Sequence, residues 1–117
     1  PKGQILLEGQ DAPVWFSSVR DTLTFLNLPE EAKNIAAVYV SDMAKAPSWE
    51  QPGADNWVLA ADAFFVIGSD RQGGMGGDEA VPFSTEAAAQ AFIKQYHGHV
   101  VRLDDAAKSV AAAAPEG

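Results

Sequence analysis

An α+β fold built from two homologous ββαβ units is the architecture this sequence predicts, and three observations point to it. Short β-rich runs bounded by Gly, Pro and Asp alternate with two segments of helical period, in the order strand, strand, helix, strand, twice over. Val14, Phe16, Ser17, Phe25 and Leu26 match Val81, Phe83, Ser84, Phe92 and Ile93 at one constant offset, and self-similarity at a fixed offset is the mark of a repeated structural unit. At 117 residues the chain has room for one modest domain, or two very small ones sharing a core.

Residues 4–8 and 14–18 read as two strands joined by a turn at Gly9, Gln10, Asp11, Ala12 and Pro13. Ser18 then stands before Val19, Arg20 and Asp21 in a capping-box-like arrangement. Thr22, Leu23, Phe25 and Leu26 follow at helical spacing until Pro29 stops the helix. Residues 35–40 (IAAVYV) are too few for a buried helix and rich in β-branched and aromatic side chains, so they read as a central strand. Pro47, Pro52 and Gly53 among polar neighbours mark residues 41–56 as a connection.

Beyond it, residues 57–68 (WVLAADAFFVIG) read as a strand, 70–79 as a glycine-dense loop, and 80–84 as a further short strand. Ser84 or Thr85 caps a helix whose Ala89, Phe92, Ile93 and Tyr96 share one face, and Gly98 is placed to end it. Residues 99–103 form the last strand. From Asp104 the chain holds alanines without an apolar stripe and ends in Pro and Gly, the profile of a disordered tail. The expected divisions are 1–43 for the first unit, 44–56 for the connection, 57–103 for the second unit and 104–117 for the tail.

Composition narrows the function. A formal charge of −8 and a pI near 4.5 oppose binding to nucleic acid and to anionic membrane, because both rest on clustered Lys and Arg. No run of about 18 apolar residues exists to span a bilayer. The absence of cysteine removes disulfides, thiolate zinc sites and thiol chemistry from these residues. The abrupt start at Pro1, directly before an alternating apolar run, suggests a mature or trimmed product.

Most polar groups have ordinary structural explanations. Asp55, Asp62, Asp70 and Asp78 lie near loops without a His or Ser at an interpretable spacing, so they read as solvated surface and not as an acid/base pair. Ser17 and Ser18 lack the GxSxG elbow of a hydrolase. His97 and His99 flank Gly98, a spacing at which two imidazoles can share Cu(II) or Zn²⁺. A helix end also favours a protonated imidazole without any metal.

The run Gly73, Gly74, Met75, Gly76, Gly77 has no GK[ST] after it and precedes a strand, which argues against a phosphate loop. Two readings of Met75 stand side by side: a flexible connection, or a thioether that glycines bring close to a bound ion. Thioether sulfur is a soft, uncharged ligand suited to Cu(I) and unsuited to Mg²⁺, Ca²⁺ or Zn²⁺. The other methionine, Met43, follows Ser41 and Asp42 just after a strand and reads as a core or rim contact before it reads as a ligand.

Three stretches are similar to the NosL family: IAAVYVSDM at 35–43, DNWVLAADAFFVIGS at 55–69 with GGMGGDEAVPFST at 73–85, and HGHVVRL after the second helix. The resemblance runs from Gln4 to about Leu103. It implies two ββαβ units related to the organomercurial lyase fold. It also implies a monomeric, lipid-anchored periplasmic protein, not an enzyme, that binds one Cu(I) for the apo form of nitrous oxide reductase or its assembly machinery.

The same resemblance implies Cu(I) ligation by the Cys and Met of an N-terminal CxM motif together with a methionine of the second unit, a position that Met75 matches. Met43 is a weaker candidate to lie nearby. This sequence has no CxM motif, but residues 1–5 resemble the segment that follows it, so the motif and the anchor cysteine are expected upstream. A metal-free adaptor that docks on the reductase, using aromatics such as Trp49 and Trp57, is the alternative function. Lyase chemistry is a third and needs thiolates that this chain lacks.

Overall fold

The computed structural model describes residues 1–27, 34–46, 53, 56–70 and 79–113, with 112 and 113 described by backbone alone. Along them run β1 (Gly3–Leu7), β2 (Val14–Phe16), α1 (Val19–Leu26), β3 (Ile35–Ser41), β4 (Trp57–Leu59), β5 (Phe64–Ile67), β6 (Val81–Phe83), α2 (Glu86–Tyr96), β7 (His99–Val101) and α3 (Leu103–Ala113). They make two antiparallel sheets, ordered β2-β1-β3-β4 and β6-β5-β7. The fold is mixed, with both sheets small and three helices packed among them.

Residues at the constant sequence offset occupy matching places. Phe16 and Phe25 tilt against each other with centroids 5.4 Å apart, as Phe83 and Phe92 do at 5.3 Å. Each pair ties a hairpin strand to the helix that follows it. Ser18 and Thr85 cap those helices by accepting the backbone N–H three residues on, from Asp21 and Ala88 at 3.0 and 3.2 Å.

Alternation along β1 sets one face of the larger sheet inward. Ile5 is fully buried, and a Cβ on the neighbouring inward residue Gly3 would overlap the Thr22 side chain, so glycine lets α1 lie close on the sheet. Val19 and Leu23 of α1 join Val40, Ala60, Ala63, Phe65, Ala80, Ala106 and Val110 in the main core. A second core of Val66, Val81, Phe83 and Ala89 lies between the smaller sheet and α2. Successive residues Phe65 and Val66 thus serve different cores, which explains why β5 is apolar without alternation: both of its faces are covered.

Two sequence expectations are corrected. Residues 57–68 are not one strand: β4 pairs with β3, Trp57 opposite Ser41, then a 3₁₀ turn at Ala60–Asp62 carries the chain to β5 in the other sheet. The buried small residues Ala60 and Ala63 let it cross the core. The second-unit boundary expected at 57 therefore falls inside the first sheet.

The expected tail from 104 onward is α3 as far as Ala113, with 114–117 outside the described residues. Leu103, Ala106 and Val110 pack one face of it on the main core. Asp104 and Asp105 sit in its first turn, where negative charge suits the helix dipole.

Candidate metal centre

Met75 lies in the segment 71–78, outside the described residues, as do Asp55, Asp78 and Trp49. Both flanks of that segment are described. β5 and β6 are antiparallel with Val66 opposite Val81, so the segment belongs to the connection that joins the two strands of a hairpin.

At its start, the Asp70 N–H donates to the Tyr96 carbonyl at 2.8 Å, and an Asp70 carboxylate oxygen lies 2.8 Å from His97 Nδ1. His97 is the C-cap of α2, with φ +67°. Its side chain and that of Asp70 are 77% and 64% exposed, so water screens the pair and its energy is modest. Gly98 follows with φ +102°, and a Cβ there would stand 2.6 Å from the Ile67 carbonyl oxygen, which only glycine avoids. The exposed His99 lies on β7 opposite Ile67. Among the described residues no three His, Cys, Asp or Glu side chains converge on a metal-sized site.

At the far end of the segment stands Glu79, 2% exposed. Its carboxylate accepts the N–H groups of Val19 at 3.0 Å and Arg20 at 2.6 Å, the first two residues of α1, and its own neighbour Ala80 at 3.2 Å. A residue beside the second-unit loop therefore closes the N-terminus of the first-unit helix, whose unpaired N–H groups and dipole favour an acceptor there. Burial pushes the Glu79 carboxyl up from 4.5 to about 7, against the opposing pull of the Val19, Arg20 and Ala80 N–H groups.

Sequence reasoning passed over Glu79. The local signal is an acid directly before a wholly apolar strand (EAVPF), which places its side chain at the rim of a core.

Met43 is half-buried and packs on the second core. Its N–H donates to the Pro82 carbonyl at 3.0 Å, and Asp42, 2% exposed, accepts from Ala44 and Ser84 at 3.0 and 2.9 Å. This short segment covers the outer edge of β6, an edge where Pro82 is tolerated for lack of a ladder partner. Met43 is thus built into the seam between the sheets. Asp42 was also missed, although an acid two residues before the N–H it accepts is a recognisable turn pattern.

The remaining candidate surface is the outer face of the larger sheet. Trp15, Tyr39, Trp57 and Leu59 alternate away from the core, with Trp15 61% and Leu59 41% exposed. The Trp15 and Trp57 rings lie 5.8 Å apart by centroid. Trp57 is half-buried.

Comparison with known proteins finds relatives over most of the described frame. The NosL family model matches residues 1–111. The copper-binding lipoprotein NosL of Achromobacter cycloclastes is 49% identical over 106 residues, covering 90% of this chain and 55% of that protein. Its Stutzerimonas stutzeri namesake is 31% identical over 90 residues, covering 77% of this chain and 46% of that one. The chain spans about half the length of these curated relatives.

Among solved structures, the crystal structure of the copper chaperone NosL from Shewanella denitrificans superposes with a TM-score of 0.82 at 36% identity, over 89% of this chain and 76% of that one. The solution structure of apo-NosL from Achromobacter cycloclastes gives 0.64 at 48% identity, over 89% of this chain and 83% of that one. With its profile matched almost end to end and its relatives similar in both sequence and fold, this chain belongs to the NosL family.

Proposed function

We propose that this chain binds Cu(I) as cargo and passes it on for the maturation of nitrous oxide reductase, with Met75 supplying one ligand and an upstream CxM motif the others. The observation that carries the reading is its likeness, across 89% of its length, to a protein solved as a copper chaperone. The chemistry agrees. The chain's own soft donors are two thioethers and no thiolate, a set that favours Cu(I) over Zn²⁺, Ca²⁺ or Mg²⁺. Met75 is the better candidate, because Met43 would have to leave its packing against the second core to reach an ion.

Copper held by few soft ligands is open to attack by the ligands of an acceptor, so transfer proceeds by exchange without release to water. The acceptor in this reading is the apo-reductase or its assembly machinery. The protein works as a lipid-anchored periplasmic monomer, in keeping with relatives named as lipoproteins. It is a carrier and not an enzyme. A relationship to the organomercurial lyase fold belongs to the same reading.

A second reading, a metal-free adaptor for the reductase, is favoured by the exposed Trp15 and Leu59 on one sheet face. An anaerobic Cu(I) competition titration separates the two. It compares the 117-residue chain with the protein extended upstream, each with and without Met75→Ala. Tight one-to-one binding only in the extended protein, weakened by the substitution, supports the carrier. Equal weak binding in all four removes Met75 as a ligand and favours the adaptor.

A further inference from the structure

We propose that the outer face of the larger sheet is where this chain docks on the protein that receives its copper, a partner whose matching surface is apolar and flanked by Lys or Arg side chains. The proposal rests on the carrier reading, since a carrier has to meet an acceptor.

The register of the sheet places Trp15, Gln4, Tyr39 and Leu59 opposite one another in a single row across β2, β1, β3 and β4. With neighbouring strands about 4.8 Å apart, that row is about 14 Å long. Its two ends, Trp15 and Leu59, are the exposed large hydrophobic side chains among the described residues. Scattered singly, such residues need no explanation. Here they close the two ends of one row, with Tyr39 between them and the Trp57 ring beside that of Trp15, so they form one surface. An antiparallel sheet packed on one side normally turns polar residues to water on the other. The inner face of this sheet is already filled, by Val40 with Val19 and Leu23 of α1, yet Gln4 is the one amide or charged side chain in the outward row. More than half of the Trp15 surface stays in water, so the fold does not account for a ring of that size there.

Charge selects the occupant. The strand register puts the β1–β2 turn and the 3₁₀ turn after β4 at the same end of the sheet. That end carries Glu8, Asp11 and Asp62, all exposed and none in an ion pair with a described side chain. Unpaired acids beside an apolar row suit a partner with bases beside its own apolar patch, where they speed encounter and fix orientation. The same acids are repelled by an anionic membrane and find no counterpart in a neutral one. A second copy of a chain with net charge −8 would meet like charge. A protein with an apolar patch edged by Lys or Arg answers both features of the surface.

The test is the binding kinetics of full-length, Cu(I)-loaded protein on apo-reductase, presented alone and together with its assembly machinery in detergent. Phosphatidylcholine vesicles serve as a third surface. Wild type is compared with the double variant Trp15→Ser/Leu59→Ser and with the triple variant Glu8→Lys/Asp11→Lys/Asp62→Lys. The double variant is expected to bind its protein acceptor about 10- to 100-fold more weakly, mainly through faster dissociation, because a few aromatic and aliphatic anchors carry most of an interface's energy. Its Cu(I) affinity and far-ultraviolet circular dichroism should match wild type, which separates lost docking from a disturbed fold. The triple variant should associate about 10-fold more slowly at low salt, with the difference shrinking at about 0.5 M salt.

Equal acceptor binding by wild type and the double variant overturns the proposal. So does an association rate that charge reversal leaves unchanged or raises, because the partner is then not basic. Vesicle binding that the double variant loses while its acceptor binding stays intact also overturns it, and assigns the face to lipid. A wild type that binds neither protein refutes the carrier reading itself, and the docking surface falls with it. Should the double variant not fold, Trp15→Ser alone replaces it and is expected to weaken acceptor binding at least about fivefold.

Discussion

Glu79 makes a quantitative prediction about stability against pH, in which two opposing forces compete at one carboxylate. Three backbone N–H groups favour its ionised form, and near-complete burial favours its neutral form. Burial wins, leaving the group near 7 instead of 4.5. A group whose proton is held more tightly in the folded than in the unfolded chain contributes most below the unfolded value. Folding then weakens as pH rises from about 4.5 to about 7. At about 1.4 kcal/mol for each tenfold change in proton affinity, the loss across that window is about 3 kcal/mol.

Glu79→Gln, neutral at every pH, lacks this dependence. The assay is urea denaturation of wild type and variant at a series of pH values spanning the window. Wild type should hold its largest advantage at the acid end and lose about 3 kcal/mol of it by the neutral end. A difference that is flat with pH, or that grows in favour of wild type as pH rises, would refute the reasoning. The N–H donors would then outweigh desolvation and Glu79 would be an ordinary ionised cap.

Two further outcomes follow from packing. Val110→Ala, at a position 7% exposed in the main core, should cost about 1 to 2 kcal/mol in chemical denaturation, whereas a frayed tail would show no change. Trp15→Ser should alter stability by about 1 kcal/mol or less, since the ring is 61% exposed. It should also abolish the circular-dichroism couplet expected from its 5.8 Å pairing with Trp57.

The parts of this fold legible in the sequence are those decided within a few residues. The caps at Ser18 and Thr85, the stop near Gly98 and the matched Phe16–Phe25 and Phe83–Phe92 pairs all follow local rules, so a constant offset in sequence becomes a matching place in space. What stayed hidden depends on distant partners. The face that α3 buries is built of Ala106 and Val110 behind Leu103. Alanine is the strongest helix former yet gives little hydrophobic contrast, so the stripe is invisible until a core is there to meet it. Residues 57–67 form one apolar run because they cross from one sheet to the other through the core, and hydrophobicity does not distinguish that from a single buried strand. The candidate site is split the same way: Met75 stands out in sequence by its glycine neighbours, whereas Glu79 acquires meaning only from α1, about sixty residues away.

Glu79 and Asp42 tie the two halves of the described chain to each other. Glu79, in the second half of the chain, accepts the first N–H groups of α1. Asp42, in the first half, accepts the Ser84 N–H immediately before the cap of α2. Each half thus supplies a buried carboxylate to the start of the other half's helix. Separating them would leave unpaired N–H groups at both helix starts and a buried acid without its donors, which costs more than the loss of a surface contact. The main core repeats the arrangement in apolar form, since Val19, Leu23 and Val40 close on Phe65, Ala106 and Val110. Two halves that exchange both their polar caps and their core do not pack independently.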